Sequence, residues 1–200
     1  MPKFAIHNID NSNIMTETMK TAYIFFADGF EEIEALSSVD VLRRAGMNVV
    51  TVSVHDDTLV TGAHGVPVEA DALFDELDYA DAQWLILPGG MPGATNLRNC
   101  EPLCDLLLEH YRKGGYIAAI CASPAIVFGP LGLLKDHEAV CYPGMGATLN
   151  CRAASDEMVV VSGNVVTGKG PAAASQFALA IVAMTEGEDK AQEVAAGMLL

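Results

Sequence analysis

A chain of 200 residues, 51% hydrophobic and 18% charged, has room for one domain with a well-buried core and is too apolar to be disordered. The formal net charge of −15 repels phosphate backbones and no basic stripe offsets it, which argues against nucleic acid as a partner. No apolar run reaches the length needed to span a bilayer, which argues against a membrane partner.

The leading stretch MPKFAIHNIDNSNIMTET is polar and unpatterned, with no apolar segment running into a cleavage site. Residues 1–18 are therefore expected to be a tail outside the fold, and residues 19–200 a single domain. From Thr21 short apolar runs alternate with amphipathic segments. TAYIFF reads as a strand and EEIEALSSVDVLRRAG as a helix, with Ala35, Val39 and Leu42 on one face and Gly46 as its stop. MNVVTVSV is the next strand. Residues 58–70 alternate among glycine and proline, as a small hairpin would. QWLILPGG is a strand ending in a tight turn, CEPLCDLLLEHYRKGG a helix with Pro102 in its first turn, YIAAI a strand, and HEAVCY one more. EMVVVSGNVVTG reads as a hairpin turning at Ser162-Gly163-Asn164, PAAASQFALAIVAMTEG as a core helix, and 188–199 as an amphipathic surface segment. There is no repeat and no interdomain linker.

Strands alternating with helices imply an α/β fold with a mostly parallel sheet covered on both faces. Ligands in such folds bind beyond the carboxyl ends of the strands, which brings together the loops ADGFEE, PGGMPG and CASP.

The five cysteines form no CxxC pair and are odd in number, so a disulfide framework is not expected and a reducing, cytoplasmic setting is. Cys100 and Cys104 lie one helical turn apart with no further ligand nearby, and read as a helix face. His7, His55, His64, His110 and His137 are scattered without HExxH spacing, so no metal is expected. GNVVTGKG, from Gly163, mimics a phosphate-binding loop. It ends in Gly170 where Ser or Thr must stand, and its interior looks like a strand. Trp84, inside an apolar strand, reads as packing.

Cys121 stands apart. Buried cysteine is a common core residue, but this one leaves a core strand and meets Ala-Ser-Pro at once. Ser123 as a cap and Pro124 in the first turn would set the thiol at a helix N-terminus, whose partial positive charge favours thiolate. The small neighbours Ala119 and Ser123 suit the cramped turn of a nucleophile elbow. Of the carboxylates after the first strand, Glu31 and Glu32 complement a helix dipole. Glu34 should point back over the sheet's end, where a carboxyl beside a thiol stays protonated and passes protons. LPGGMPGATNL offers backbone N–H groups suited to an oxyanion, and reads equally as a bare turn.

FADGFEEIEA, VDVLRRAG, LPGGMPGATNL, GYIAAICASP and GKGPAAASQFALAIV, in this order, resemble the ThiJ/PfpI superfamily, most closely its DJ-one-like branch, from about Met19 to the C-terminus. The resemblance implies a flavodoxin-like three-layer sandwich and a homodimer. It implies that Cys121 is the nucleophile, that Glu34 is its protonated partner, and that Gly90 and Ala122 donate N–H groups to an oxyanion or an oxidised sulfur. Tyr142 and Ser123 would stand around this pair. Tyr142 occupies the place where relatives often carry histidine. Ala122 follows the nucleophile where the protease branch has histidine, which argues against a peptidase. Gly62 and Glu69 replace cysteines of the human-type hairpin region. The implied activity is a cofactor-free glyoxalase or deglycase acting on methylglyoxal or glycated groups. The alternative is an oxidative-stress sensor or chaperone whose Cys121 becomes a sulfinate.

Overall fold

The computed structural model describes residues 20–200, and the expected tail at 1–18 lies outside them. In the interior of the main sheet runs β1 (Thr21–Phe26), every residue of which is buried. Its alternate side chains feed two cores. Ile24 and Phe26 pack on one side of the sheet and Tyr23 and Phe25 on the other, so a strand buried on both faces reads as a continuous apolar run. The sheet has seven strands: β10 (Val159–Ser162), β11 (Val165–Gly168), β7 (Tyr116–Ile120), β6 (Ala82–Leu87), β1, β2 (Asn48–Ser53) and β5 (Ala72–Leu73), in that spatial order. All neighbours are parallel except β10 and β11, the antiparallel hairpin read at 162–164.

One face is covered by α1 (Glu32–Arg44), α5 (Ala174–Glu186) and α6 (Glu188–Gly197), through Ala35, Leu42, Phe177, Ile181 and Val194. The other is covered by α2 (Gly93–Asn99), α3 (Glu101–Arg112) and a helical segment at 124–131, through Leu97, Leu103, Leu107 and Phe128. That segment is a π-helical turn, Pro124–Phe128, running into α4 (Gly129–Leu131). This is a three-layer α/β sandwich. Trp84 is buried, stacks on Tyr116 and donates from Nε1 to Thr185 Oγ1 at 2.9 Å, a packing role. Gly163–Gly170 carries strand β11, so its resemblance to a phosphate loop is chance.

The small antiparallel pair β3 (Leu59–Thr61) and β4 (Pro67–Glu69) is the expected hairpin. HEAVCY is not a strand throughout. Only β8 (Glu138–Ala139) pairs, with β9 (Ala153–Ala154), outside the main sheet. Beyond it Val140 N–H goes to the Thr167 hydroxyl and Tyr142 N–H to Cys121 O, so the backbone is drawn sideways to the elbow instead of into a ladder. Helix α2 lies inside LPGGMPGATNL, whose sequence suggests only a turn with backbone N–H donors. Its apolar signal is only Ala94 and Leu97, too short to register as a period.

From β1 the chain moves by α1 to β2 on one side, and later enters β6 on the other. The crevice at the carboxyl ends of β1 and β6 is therefore a topological switch point.

Candidate active site

Three loops meet at that crevice and backbone hydrogen bonds lock them. Glu31 N–H donates to Gly89 O at 3.0 Å and Gly93 N–H to Gly29 O at 3.1 Å. The Ser123 hydroxyl donates to Pro88 O, tying the third loop to the second. Ser123 is thus not the helix cap expected of it. Its backbone is already helical, at φ −64° and ψ −34°, whereas a capping residue needs an extended backbone.

Cys121 follows β7 with φ +65°, in the left-handed region that costs a side-chain-bearing residue about 1–2 kcal/mol. The turn is over-determined. Cys121 N–H donates to Gly168 O at 2.9 Å, and Cys121 O accepts Tyr142 N–H at 2.7 Å. The side chain is held at a sharp strand-to-helix elbow with 7% of the residue exposed.

Glu34 is fully buried. Its Oε2 accepts Gly89 N–H at 2.7 Å, while Oε1 has no partner of ordinary hydrogen-bond geometry among the described residues, and the group against this carboxyl is the Cys121 thiol. Gly89 is what lets the two meet. A Cβ there would lie 2.6 Å from Cys121 Cβ and 2.8 Å from Glu34 Oε2. Gly90, at φ +89°, passes so close to the first loop that a Cβ would sit 2.4 Å from Glu31 N. A bare turn does not describe this loop. The Gly89 N–H is committed to Glu34, and the Gly90 and Ala122 N–H groups address the Cys121 sulfur.

The electrostatics differ from the expectation of a ready thiolate. Burial pushes the Cys121 thiol up to about 12, the charge and hydrogen bond of Glu34 add to the rise, and the Gly90 and Ala122 N–H groups pull the other way. Desolvation and the Glu34 contact outweigh the pull of the backbone N–H groups at the start of the helical segment. Burial likewise raises the Glu34 carboxyl from 4.5 to about 7, against its hydrogen bonds with Cys121 and Gly89. Near neutrality the pair is a thiol beside a carboxyl poised between its two forms.

The other two carboxylates have separate work. Glu31 is the α1 N-cap, its Oε2 accepting Glu34 N–H at 2.7 Å. Glu32 reaches the hairpin, where Oε1 accepts His64 N–H and Oε2 lies 2.7 Å from His64 Nδ1. At Gly62 a Cβ would collide with that carboxylate at 2.3 Å, so the glycine serves the Glu32 contact. An open cleft of about 570 Å³ leads to the thiol, with Glu32, His64, Cys121, Tyr142 and Pro171 in its lining and Ile33 and Val66 as apolar wall. Tyr142 is about half exposed there.

Cys121, Glu34, Gly90, Ala122 and Tyr142 are thus brought together, and Ser123 lies behind them. In the sequence His64 is only one of several scattered histidines. Its only sequence signal is its place in the turn of the hairpin, which says nothing of the hairpin folding back over the start of α1.

Residues 20–184 match the DJ-1/PfpI family. Protein DJ-1 homolog B of Arabidopsis thaliana is 35% identical over 190 residues, covering 94% of this chain and 43% of its own length. The chain thus spans about half the length of the Arabidopsis relatives it matches. The glutathione-independent glyoxalase DJR-1.2 of Caenorhabditis elegans is 33% identical over 161 residues, 80% of this chain and 85% of the relative. Among solved structures, oxidized DJ-1 of Toxoplasma gondii superposes with a TM-score of 0.87 at 38% identity, covering 90% of this chain and 98% of that one. The flavodoxin-like architecture expected from the sequence is the one shared with these neighbours. This chain belongs to the DJ-1/PfpI family.

Proposed function

We propose that this protein is a cofactor-free, glutathione-independent glyoxalase that converts methylglyoxal to lactate, with deglycation of glycated groups as the related activity. The observation that carries the reading is a buried carboxyl, raised to about 7, in contact with a thiol at the end of an open cleft. A group titrating near the working pH both takes and returns a proton efficiently. A relative named as a glutathione-independent glyoxalase supports the substrate class.

Glu34 in its carboxylate form takes the Cys121 proton as sulfur attacks the aldehyde carbon. The resulting oxyanion is met by the Gly90 and Ala122 N–H groups and protonated by Glu34, which gives a hemithioacetal. Glu34 then removes the C–H proton, forming an enediol, and returns it to the neighbouring carbon. The hydroxyl proton passes between the two oxygens, which leaves a lactoyl thioester on Cys121. Water hydrolyses the thioester to lactate and restores the thiol. No metal or glutathione enters. A homodimer and a reducing, cytoplasmic setting complete the proposal. Free cysteines and the exposed apolar residues Ile33, Leu36 and Leu59 are consistent with both. Among the described residues no helix is long and apolar enough to cross a membrane.

A sensor is the second reading, favoured by the two backbone N–H groups at the sulfur, which would equally hold sulfinate oxygens. Purified protein incubated with methylglyoxal in the absence of glutathione is expected to release lactate, and Cys121→Ser is expected to abolish the release. No lactate from the unsubstituted protein would favour the sensor.

A further inference from the structure

The hydrolytic step needs a base that the Cys121–Glu34 pair does not supply. Water enters from the cleft, whereas Glu34 is fully buried, with Oε2 on Gly89 N–H and its carboxyl against the sulfur. Tyr142 offers a phenol, a much weaker base than imidazole near neutrality. Glu31 Oε2 caps α1, and both Glu32 oxygens are engaged by His64. His64 is the imidazole at this opening, its side chain 72% exposed and lining the same cleft as Cys121.

His64 is held by a two-point grip. Its backbone N–H donates to Glu32 Oε1 at 2.7 Å, and its Nδ1 lies 2.7 Å from Glu32 Oε2. A carboxylate at Nδ1 fixes that nitrogen as the N–H donor and leaves the Nε2 lone pair outward, with no partner among the described residues. Glu31, Glu32 and His64 place ligand atoms within 4.8 Å of one another, but the existing hydrogen bonds already use the carboxylates to hold the ring.

We propose that His64 is the base that activates water for hydrolysis of the lactoyl thioester on Cys121, and that Glu32 positions it. The inference rests on the glyoxalase reading. The water oxygen attacks the thioester carbonyl carbon while one water proton passes to His64 Nε2. The C–S bond breaks and its electron pair leaves on sulfur, which recovers the proton from the imidazolium. The lactic acid formed ionises to solvent. The two proton handlers divide by access to water: Glu34, sealed from solvent, moves protons between carbons, and His64, at the opening, handles water. Hydrogen bonding and charge from Glu32, with the charge of Glu31, raise the imidazole above its ordinary range, so its free-base form fills only as pH climbs past that range.

His64→Ala is the test, because an exposed side chain can be removed without opening the core. After rapid mixing with methylglyoxal, Cys121 is followed by peptide mass spectrometry and lactate by release assay. The variant should consume the thiol at the unsubstituted rate, release lactate about 10²–10⁴-fold more slowly, and accumulate the lactoyl adduct on Cys121. Imidazole in the buffer should restore release. Glu32→Gln should move the pH midpoint of release down toward the ordinary imidazole range, which a merely structural role would not do. Unchanged release in His64→Ala, slowed release without the adduct, an adduct indifferent to imidazole, or an unmoved midpoint in Glu32→Gln would each overturn the assignment. No lactate from the unsubstituted protein would instead bring down the glyoxalase reading, and this inference with it.

Discussion

Glu34 should make the fold less stable as pH rises, and Glu34→Gln should remove that dependence. The folded-state value of about 7 lies above the ordinary 4.5, so the folded chain holds a proton that the unfolded chain has released. Stability contributed by the neutral carboxyl is complete below about 4.5, declines as pH climbs through about 7, and is absent above it. At about 1.4 kcal/mol per unit the full effect is about 3 kcal/mol. Glutamine has nearly the same volume, keeps an oxygen for the Gly89 N–H, and turns an amide donor toward the sulfur. Urea unfolding of both proteins at pH 5 and pH 8 isolates the effect, because every other titrating group is common to the two. The advantage of Glu34→Gln over the unsubstituted chain should be about 2.5 kcal/mol larger at pH 8 than at pH 5, part of the effect being already lost at pH 5. Parallel pH–stability curves would refute the argument that burial keeps this carboxyl neutral.

Alkylation of Cys121 by iodoacetamide should accelerate through pH about 7 as Glu34 becomes able to take the thiol proton, and Glu34→Gln should lose that inflection. A rate already at its plateau well below pH 7 would indicate a resting thiolate. Cys121→Gly should be more stable than Cys121→Ala by about 1 kcal/mol in chemical denaturation, because only glycine adopts φ +65° without penalty. Equal stability would mean the elbow carries no backbone strain. Tyr142→His should raise glyoxalase turnover by placing an imidazole in the cleft beside the thiol. Unchanged or lower turnover in a folded variant would remove that position from proton transfer.

The sheet was legible because its central strands are buried on both faces. TAYIFF, QWLIL and YIAAI stand out as apolar runs, and the switch-point rule then gathers the loops that follow them. Elements too short to show a period, such as α2 and the two-residue strands β5 and β9, were not, and β8 is only the first part of the strand that HEAVCY suggests. The placing of Cys121 and Glu34 was readable from topology. The charge state of the pair was not, because desolvation and the Glu34 contact are tertiary effects. Ser123 illustrates the same limit. Its residue type suits a cap, but the elbow leaves it helical and commits its hydroxyl to Pro88 O. The Glu32–His64 grip joins residues 32 positions apart in sequence through a hairpin whose docking no local pattern encodes.

Lactate formation by Glu34→Gln, measured beside sulfinate formation under mild peroxide, tests most directly whether Glu34 moves the proton for Cys121. The amide keeps a donor beside the sulfur but cannot take up a proton, so lactate formation should fall by about two to four powers of ten while Cys121 still oxidises to the sulfinate. Lactate formation retained at the unsubstituted rate would contradict the mechanism and remove Glu34 from it.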